Sequence, residues 1–341
     1  MLSFVAAVTL AIPSPVVHES KVIAIGSKRI RAEIVRVKLD QVRIRVGLAK
    51  DRIGPTESLV SLAKRKGALA AINGSFFDAY SEHPIKCPWH TVITGGEVVH
   101  IGNTGSVIGF WDDGRAAVDR PQFTISGARE GQEKHPFRWY AYWLNRRPTS
   151  NTVTIFTRHW GRETGLDDGR HFVVRKGAVT WIEQASQEIP ADGWVLYQRG
   201  VSDSAFGRIT MGSNLSYRVL DKNSPDGNWG AFEGVREAVG AGPTLVKGGK
   251  VAYAPETEGF SHEKILSIGG ARSLAGFNAT GELLLVASSG TVREMASLMQ
   301  QLGCREAINL DGGASSGLIA NGKTIRTPGR SISNALLVLP R

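Results

Sequence analysis

The sequence predicts an α+β fold, with one mixed α/β domain that is strand-rich and contains a few helices. The first observation is that 40 of the 341 residues are glycine, many in short turn-like contexts that favour short strands and tight turns. The second is that apolar residues alternate over long stretches, as they do in strands. The third is that two segments carry apolar residues at the three- and four-residue spacing of a helix.

The N-terminal part of the chain predicts strands, one helix and a buried strand. Alternation runs through residues 16–46. The segment PTESLVSLAKRKG predicts a helix that Thr56 caps and Gly67 ends. The segment ALAAING, residues 68–74, predicts a buried strand that runs into a glycine turn. Two hairpins are expected next, at residues 90–102 and 107–118.

Further strands are expected through the middle and the end of the chain. Aromatic and β-branched residues predict strands at 137–148, 152–161, 171–182 and 193–200. The last hundred residues predict one strand pair at 238–252, a second strand pair at 272–290 and a helix at 291–303. Thr291 and Glu294 form a capping box at the start of this helix. The strand at 304–310 then leads directly into Asp311.

Composition restricts the class of protein and its partners. Apolar residues make up 42% of the chain and charged residues 21%, which is typical of a globular protein rather than a disordered one. The net charge of +10 lies in short clusters, and no nucleic-acid motif accompanies it, so no nucleic-acid partner is expected. Two cysteines, Cys87 and Cys304, are too few for a disulfide scaffold. The sequence allows either one disulfide between them or two separate thiols.

The first residues carry an apolar stretch, Leu2–Ile12, that suits the core of a signal peptide and is too short to span a membrane. We therefore take residues 1–16 as either a signal or an N-terminal strand, and residues 17–341 as the domain. No later stretch is apolar enough to cross a bilayer. The expected location is the periplasm, the envelope or the extracellular space.

Two strand ends have similar sequences and suggest a site. One predicted strand ends in NGSFFD, residues 73–78, and another in DGGASS, residues 311–316. Glycines allow the backbone to turn sharply and to point N–H groups outward, where they suit an anion such as a phosphate. A neighbouring carboxylate can act as a general acid or base, or hold a metal ion.

Four segments together resemble the phosphodiester glycosidase family. They are AINGSFFD, AVGAGPTLVKGGKV, the long stretch GELLLVASSGTVREMASLMQQLGCREAINLDGGASSGLIANGK, and RSISNALLV. The resemblance is strongest from about residue 238 to the end. It implies a hydrolase that cleaves a sugar-1-phosphodiester, with an N-acetylglucosamine-like sugar, in an envelope or extracellular glycan. The expected partner is thus a phosphorylated glycan.

The resemblance also implies the residues of the site. Asp311 is the first candidate for the acid or base, and Asp78 is the second carboxylate. Cleavage also needs a cation to hold phosphate charge, and Arg272 is the candidate because its planar fork matches two oxygens. The substrate-binding positions are Asn73, Gly74, Phe76, Gly242, Arg272, Asn309, Gly312, Gly313, Ser315, Ser316 and Asn334.

The asparagines of these segments suit two roles. The three asparagines Asn73, Asn309 and Asn334 suit either hydrogen bonds to the sugar or ties between loops. The chain departs from the usual family glycines at Ser75, Ala241 and Ala314, and each adds a side chain to a turn that narrows the cleft or changes the backbone angle.

Two alternatives to a metal-free enzyme are kept. In one, the same cleft belongs to a non-catalytic envelope protein that binds anionic, phosphate-containing glycans. In the other, Asp311 and Asp78 share a divalent cation such as calcium; otherwise no metal or cofactor is expected.

Overall fold

The computed structural model describes residues 14–130, 137–200, 204–224 and 226–341. The apolar stretch Leu2–Ile12 lies outside these residues. Within them, strands form most of the regular structure and helices are few and short. The strand-rich prediction is therefore confirmed, but the fold is mostly β and the mixed α/β description fits it only roughly.

The first sheet has seven strands, and four of them come from two of the segments that resemble the family. In spatial order they are β1 (Val16–Ile25), β2 (Lys28–Lys38), β21 (Glu282–Gly290), β20 (Gly270–Asn278), β22 (Cys304–Asn309), β18 (Thr244–Lys247) and β19 (Lys250–Val251). The four strands from the resembling segments are β18, β19, β21 and β22. All pairs of this sheet are antiparallel.

The second sheet has eight strands and is built from the aromatic middle of the chain. Its order is β10 (Phe137–Ala141), β9 (Phe123–Glu130), β16 (Asn214–Asp221), β14 (Ala178–Glu183), β13 (Arg170–Arg175), β15 (Gly193–Arg199), β12 (Thr152–Phe156) and β11 (Trp143–Leu144). Each strand predicted for this region is present.

Two five-stranded sheets complete the fold. One has the order β6 (Glu97–His100), β5 (Val92–Thr94), β17 (Glu237–Gly240), β7 (Val107–Phe110) and β8 (Ala116–Asp119). The other has the order β24 (Lys323–Arg326), β23 (Leu318–Ala320), β4 (Ala70–Asn73), β25 (Asn334–Pro340) and β3 (Val42–Leu48). Residues from all four sheets meet in one apolar cluster, which includes Val35, Tyr197, Val239 and Ile72.

The four described helices are α1 (Leu59–Arg65), α2 (Ser204–Gly207), α3 (Glu263–Leu266) and α4 (Val292–Gln301). None of the helices in the described part of the chain is both long and apolar enough to cross a membrane. In α4 the capping box of Thr291 and Glu294 is present as predicted, and the apolar face packs on the first sheet.

Helix α1 begins later than predicted, because Ser58 rather than Thr56 is the cap. The Ser58 hydroxyl accepts the N–H of Ser61 at 3.1 Å. Glu57 exchanges backbone hydrogen bonds with Ile332, so the chain is still extended at the position where the predicted helix had begun. The two cysteines, Cys87 and Cys304, are buried as separate thiols.

A buried carboxylate joins the two five-stranded sheets. Glu237 on β17 is 1% exposed. Its carboxylate pairs with the guanidinium of Arg45 on β3 and accepts the N–H groups of Val46 and Gly95, both at 2.8 Å.

We expect Glu237→Ala to lower the free energy of unfolding by about 3 kcal/mol, because three donors lose their acceptor. Urea unfolding at pH 7 measures this. The matched control is Glu97→Ala, at an exposed position on β6, which should change stability by less than about 0.5 kcal/mol. Equal losses in both variants would contradict the role given to Glu237.

Candidate functional site

The candidate site lies where three strand ends meet. Strand β4 ends at Asn73, and strand β25 begins at Asn334. The backbone N–H of Gly74, which follows Asn73, donates to the carbonyl of Asn334 at 3.0 Å. Strand β22 ends at Asn309, and two residues later the N–H of Asp311 donates to the carbonyl of Gly74 at 2.9 Å. The structure therefore brings together the two segments, NGSFFD and DGGASS, that the sequence singled out.

The side chain of Asn73 ties these turns together. Its amide donates to the carbonyl of Asp311 at 2.6 Å. Its oxygen accepts the Ser273 hydroxyl at 2.7 Å and the Gly317 N–H at 3.0 Å, and the Ser273 and Ser316 hydroxyls lie 2.9 Å apart. Asn73 is only 1% exposed, so it supports the turn at Asp311 and presents no face to solvent.

Asn334 and Asn309 are also buried and hold backbone. The Asn334 oxygen accepts the N–H of Ser75 at 2.9 Å, while its amide donates to the Ser333 hydroxyl. The Asn309 amide donates to the carbonyl of Gly242 at 2.9 Å. The amides of Asn73 and Asn309 and the side-chain oxygen of Asn334 hydrogen-bond the backbone of neighbouring turns, and their role toward a sugar stays a prediction.

Asp311 is only partly exposed, at the start of the glycine turn. Burial raises the pKa of its carboxyl to about 7, although the Ser315 hydroxyl, the positive charge of Arg330 and the Gly312 N–H each lower it. A carboxyl with such a pKa is present in both protonation states near neutral pH, as a general acid or base must be. The next two residues, Gly312 and Gly313, remain accessible, whereas Ser315 is buried.

Arg272 lies beside this turn, but most of its guanidinium is used within the protein. Its side chain is 5% exposed, and burial lowers its pKa. It donates to three backbone carbonyls, those of Gly290 (3.1 Å), Lys264 (2.7 Å) and Ile268 (2.6 Å). Its Nη1 atom lies 3.5 Å from the point where a Cβ on Gly312 would sit. Only this nitrogen faces the turn, so Arg272 mainly anchors the segment before β20.

The structure adds an exposed aromatic residue and two cations that the sequence reasoning missed. Tyr80 is 78% exposed. Arg330 donates to its hydroxyl at 2.8 Å and lies 4.5 Å from its ring, while the Lys264 ammonium lies 5.6 Å from the ring. These cations lower the pKa of Tyr80, and the charge of Asp311 raises it. Arg330 opens the RSISNALLV segment, which was the signal that could have identified it.

Asp78 is partly exposed and hydrogen-bonds an aromatic side chain. Its carboxylate accepts the indole N–H of Trp89 at 2.6 Å, and Trp89 is 50% exposed. Its backbone N–H donates to Cys87. No hydrogen bond in the described part of the chain joins Asp78 to Asp311.

Phe76 and the glycines Gly74 and Gly242 shape the backbone around the site. The Phe76 ring is half-buried and packs 5.4 Å from the His90 ring. A Cβ on Gly74 would lie 2.2 Å from the side-chain oxygen of Asn334, so only glycine fits there. Gly242 has a φ of +99°, in the left-handed region that favours glycine.

A shared cation at Asp311 and Asp78 would need further ligands, since calcium takes six to eight oxygens. Over residues 14–130, 137–200, 204–224 and 226–341, no three His, Cys, Asp or Glu side chains come together in a way that suits a metal ion. The Asp78 carboxylate is already engaged by Trp89.

The fold and the site define a mostly β protein with an acidic residue among cations and exposed rings. The phosphodiester glycosidase family matches residues 168–339 of the sequence. This match covers half of the chain, so the chain belongs to the phosphodiester glycosidase family. Membership supports a hydrolase role. No curated protein sequence matches the chain significantly.

Solved structures share the fold at low sequence identity. A hypothetical protein from Synechocystis matches with a TM-score of 0.83 and 24% identity over 96% of this chain, which spans 62% of that protein's chain. A candidate exported protein of Burkholderia pseudomallei K96243 matches with a TM-score of 0.70 and 20% identity, over 92% of this chain and 74% of the other. At these identities the likeness establishes the fold alone.

The pKa of Asp311 predicts how its substitution changes stability with pH. An unfolded aspartate ionises near pH 4, whereas the folded carboxyl ionises near pH 7. Between these values the folded state holds a proton that the unfolded state lacks, so wild-type stability falls as the pH rises through this window. Asparagine cannot ionise, and Asp311→Asn should therefore gain stability relative to wild type from about pH 4 to about pH 7 and then stay level.

Urea unfolding of both proteins across this range measures the difference. A difference in unfolding free energy that does not vary with pH would contradict the raised pKa.

Proposed function

We propose that this chain is an exported hydrolase that cleaves a sugar-1-phosphodiester, with an N-acetylglucosamine-like sugar, in an envelope or extracellular glycan. The observation that carries the proposal is Asp311, a carboxyl with a pKa of about 7, next to the cation of Arg330 and an accessible glycine turn. Family membership supports the reaction class. The apolar stretch Leu2–Ile12 supports export.

The reaction breaks the bond between the anomeric carbon and the phosphate oxygen. Water adds to the anomeric carbon, and the phosphomonoester leaves with the bond electrons. In its protonated form, Asp311 gives a proton to the leaving oxygen or, ionised, takes one from the attacking water. Phosphate is a good leaving group, so one carboxyl is sufficient for this chemistry.

The surrounding groups suit the charge and shape of this substrate. Arg330 and Lys264 supply positive charge for the phosphate, and the Nη1 of Arg272 faces the same turn. The backbone at Gly312 and Gly313 allows a close approach to the anion. The exposed ring of Tyr80 offers a flat apolar surface to a sugar.

The first test is hydrolysis of N-acetylglucosamine-1-phosphodiester substrates by wild type, Asp311→Asn and the matched control Asp78→Asn, each with and without chelator. We expect Asp311→Asn to lower kcat about 100-fold or more, because an acid–base group contributes on this scale. The control should lose much less, since Asp78 holds Trp89.

Full activity of Asp311→Asn would exclude it as the acid or base. Activity lost with chelator would give Asp311 a metal-binding role. If wild type cleaves nothing but binds anionic glycans, the non-catalytic envelope protein is the better description.

Arg330 has a predicted effect of its own. Removal of its charge by Arg330→Met should reduce kcat/KM by roughly tenfold to a hundredfold, since a phosphate-facing cation is lost. It should also shift the pH midpoint of activity upward, because Arg330 lowers the pKa of Asp311. The control Arg29→Met removes an exposed cation elsewhere and should leave the profile unchanged. An unshifted midpoint in Arg330→Met would contradict the coupling.

A further inference from the structure

Strand β1 is an open edge of the seven-stranded sheet. It lies at one end of the strand order, and among the described strands it pairs only with β2, antiparallel over Val16–Ile25. The side chains of Val17 and Val22 on this strand are 56% and 54% exposed. A long edge strand with exposed apolar side chains presents unpaired backbone groups, to which another strand can add.

The pairing with β2 determines which backbone groups of β1 face outward. The N–H of Lys38, in β2, donates to the carbonyl of Pro15, just before β1, at 3.3 Å. Because the direction of the backbone groups alternates along a strand, the odd-numbered residues of β1 face β2 and the even-numbered residues face outward. Within the residues that the structure describes, no group hydrogen-bonds to the outward N–H or carbonyl of His18, Ser20 or Val22.

Side-chain amides close both ends of this unpaired stretch. The Asn321 amide donates to the outward carbonyl of Val16 at 3.1 Å. At the other end, the Gln301 amide donates to the outward carbonyl of Ala24 at 3.1 Å. Val16 and Ala24 are equally far from Ser20 along the strand, so the unpaired stretch is symmetric about Ser20. A two-fold axis at Ser20 therefore aligns the unpaired stretch of one copy of the chain with that of a second copy.

The charged side chains of β1 also match under this symmetry. Glu19 and Lys21 flank Ser20 and point to the same face of the sheet, where the ammonium lies 3.0 Å from the carboxylate. In an antiparallel pair centred on Ser20, the residue before Ser20 in one copy lies opposite the residue after Ser20 in the other. Glu19 of each copy then lies opposite Lys21 of the other copy, whereas a parallel pair in the same register would place like charges side by side.

We propose that two copies of this chain pair through β1 and form a dimer with one continuous antiparallel sheet. Ser20 pairs with its counterpart, and His18 pairs with Val22 of the other copy, so that their outward N–H and carbonyl groups all gain partners. On the face of Glu19 and Lys21, the exposed Val17 packs against Ile23 of the other copy. The inference is independent of the proposed function, because no residue of the turn at Asp311 takes part.

Sedimentation of the full chain over a range of concentrations tests the dimer, with Ser20→Pro as the disrupting variant. The interface is one strand wide, so we expect a reversible dimer with a Kd of roughly micromolar size. Proline is tolerated where the N–H of an edge strand faces outward, but it removes that donor from the interface, and Kd should rise about tenfold or more. The control Ser20→Ala should keep the wild-type Kd. Both variants lose the hydrogen bond from the Ser20 hydroxyl to Glu33, so the comparison isolates the backbone N–H.

A charge exchange tests the register. Lys21→Glu places carboxylates opposite one another across the interface, and Kd should rise about tenfold or more at low salt. Glu19→Lys places ammonium groups opposite one another and should have the same effect, while Arg36 keeps its second carboxylate, Glu282, at 2.7 Å. An equimolar mixture of the two variants should form a heterodimer with nearly the wild-type Kd, because each charged side chain then lies opposite one of the other sign.

Amide hydrogen exchange locates the interface. Protection of His18, Ser20 and Val22 should increase with protein concentration in wild type and not in Ser20→Pro. Exchange at these amides that does not depend on concentration would contradict the pairing. A wild-type chain that remains monomeric up to about 1 mM would overturn the inference, and so would a dimer that persists unchanged in both Ser20→Pro and Lys21→Glu. Thermal unfolding checks that each variant folds, and if Ser20→Pro does not fold, the charge variants alone decide the outcome.

Discussion

The Asn73 side chain is the interaction on which the arrangement of the site depends. It sits at the end of β4, in one of the five-stranded sheets, and its amide reaches the carbonyl of Asp311 beyond the end of β22, in the seven-stranded sheet. Its oxygen accepts hydrogen bonds from the hydroxyl of Ser273, on β20, and from the backbone N–H of Gly317. One buried amide therefore satisfies groups from two sheets, and it is costly to replace because each would be left without a partner.

The hydrogen bonds of the Asn73 side chain help to determine which groups near the turn at Asp311 can contact a substrate. The buried asparagines and most of the Arg272 guanidinium are used to hold backbone in place. Asp311, Arg330 and Tyr80 are more exposed, and they rest on that buried layer. A rigid buried layer of polar contacts beneath a few accessible groups is what precise positioning of a substrate requires.

Much of the local structure could be predicted because its causes are local. The capping box of Thr291 and Glu294 lies within one turn of helix α4, and the alternation of apolar residues set the strand positions. The start of α1 was misplaced because Glu57 pairs with Ile332, which is remote in sequence. Such a pairing leaves no signal in the residues next to Thr56.

The sequence by itself determined the strand-rich class, most of the strands and hairpins, and the two Asx-Gly turns that meet at the candidate site. Only the tertiary structure decided which polar side chains hydrogen-bond to the backbone and which remain available to contact a substrate. Arg330, Lys264 and Tyr80 come from segments far from one another in the chain, and their contacts arise only when the sheets pack. Hydrogen-bond satisfaction and desolvation are properties of the folded neighbourhood, so no local pattern can report them.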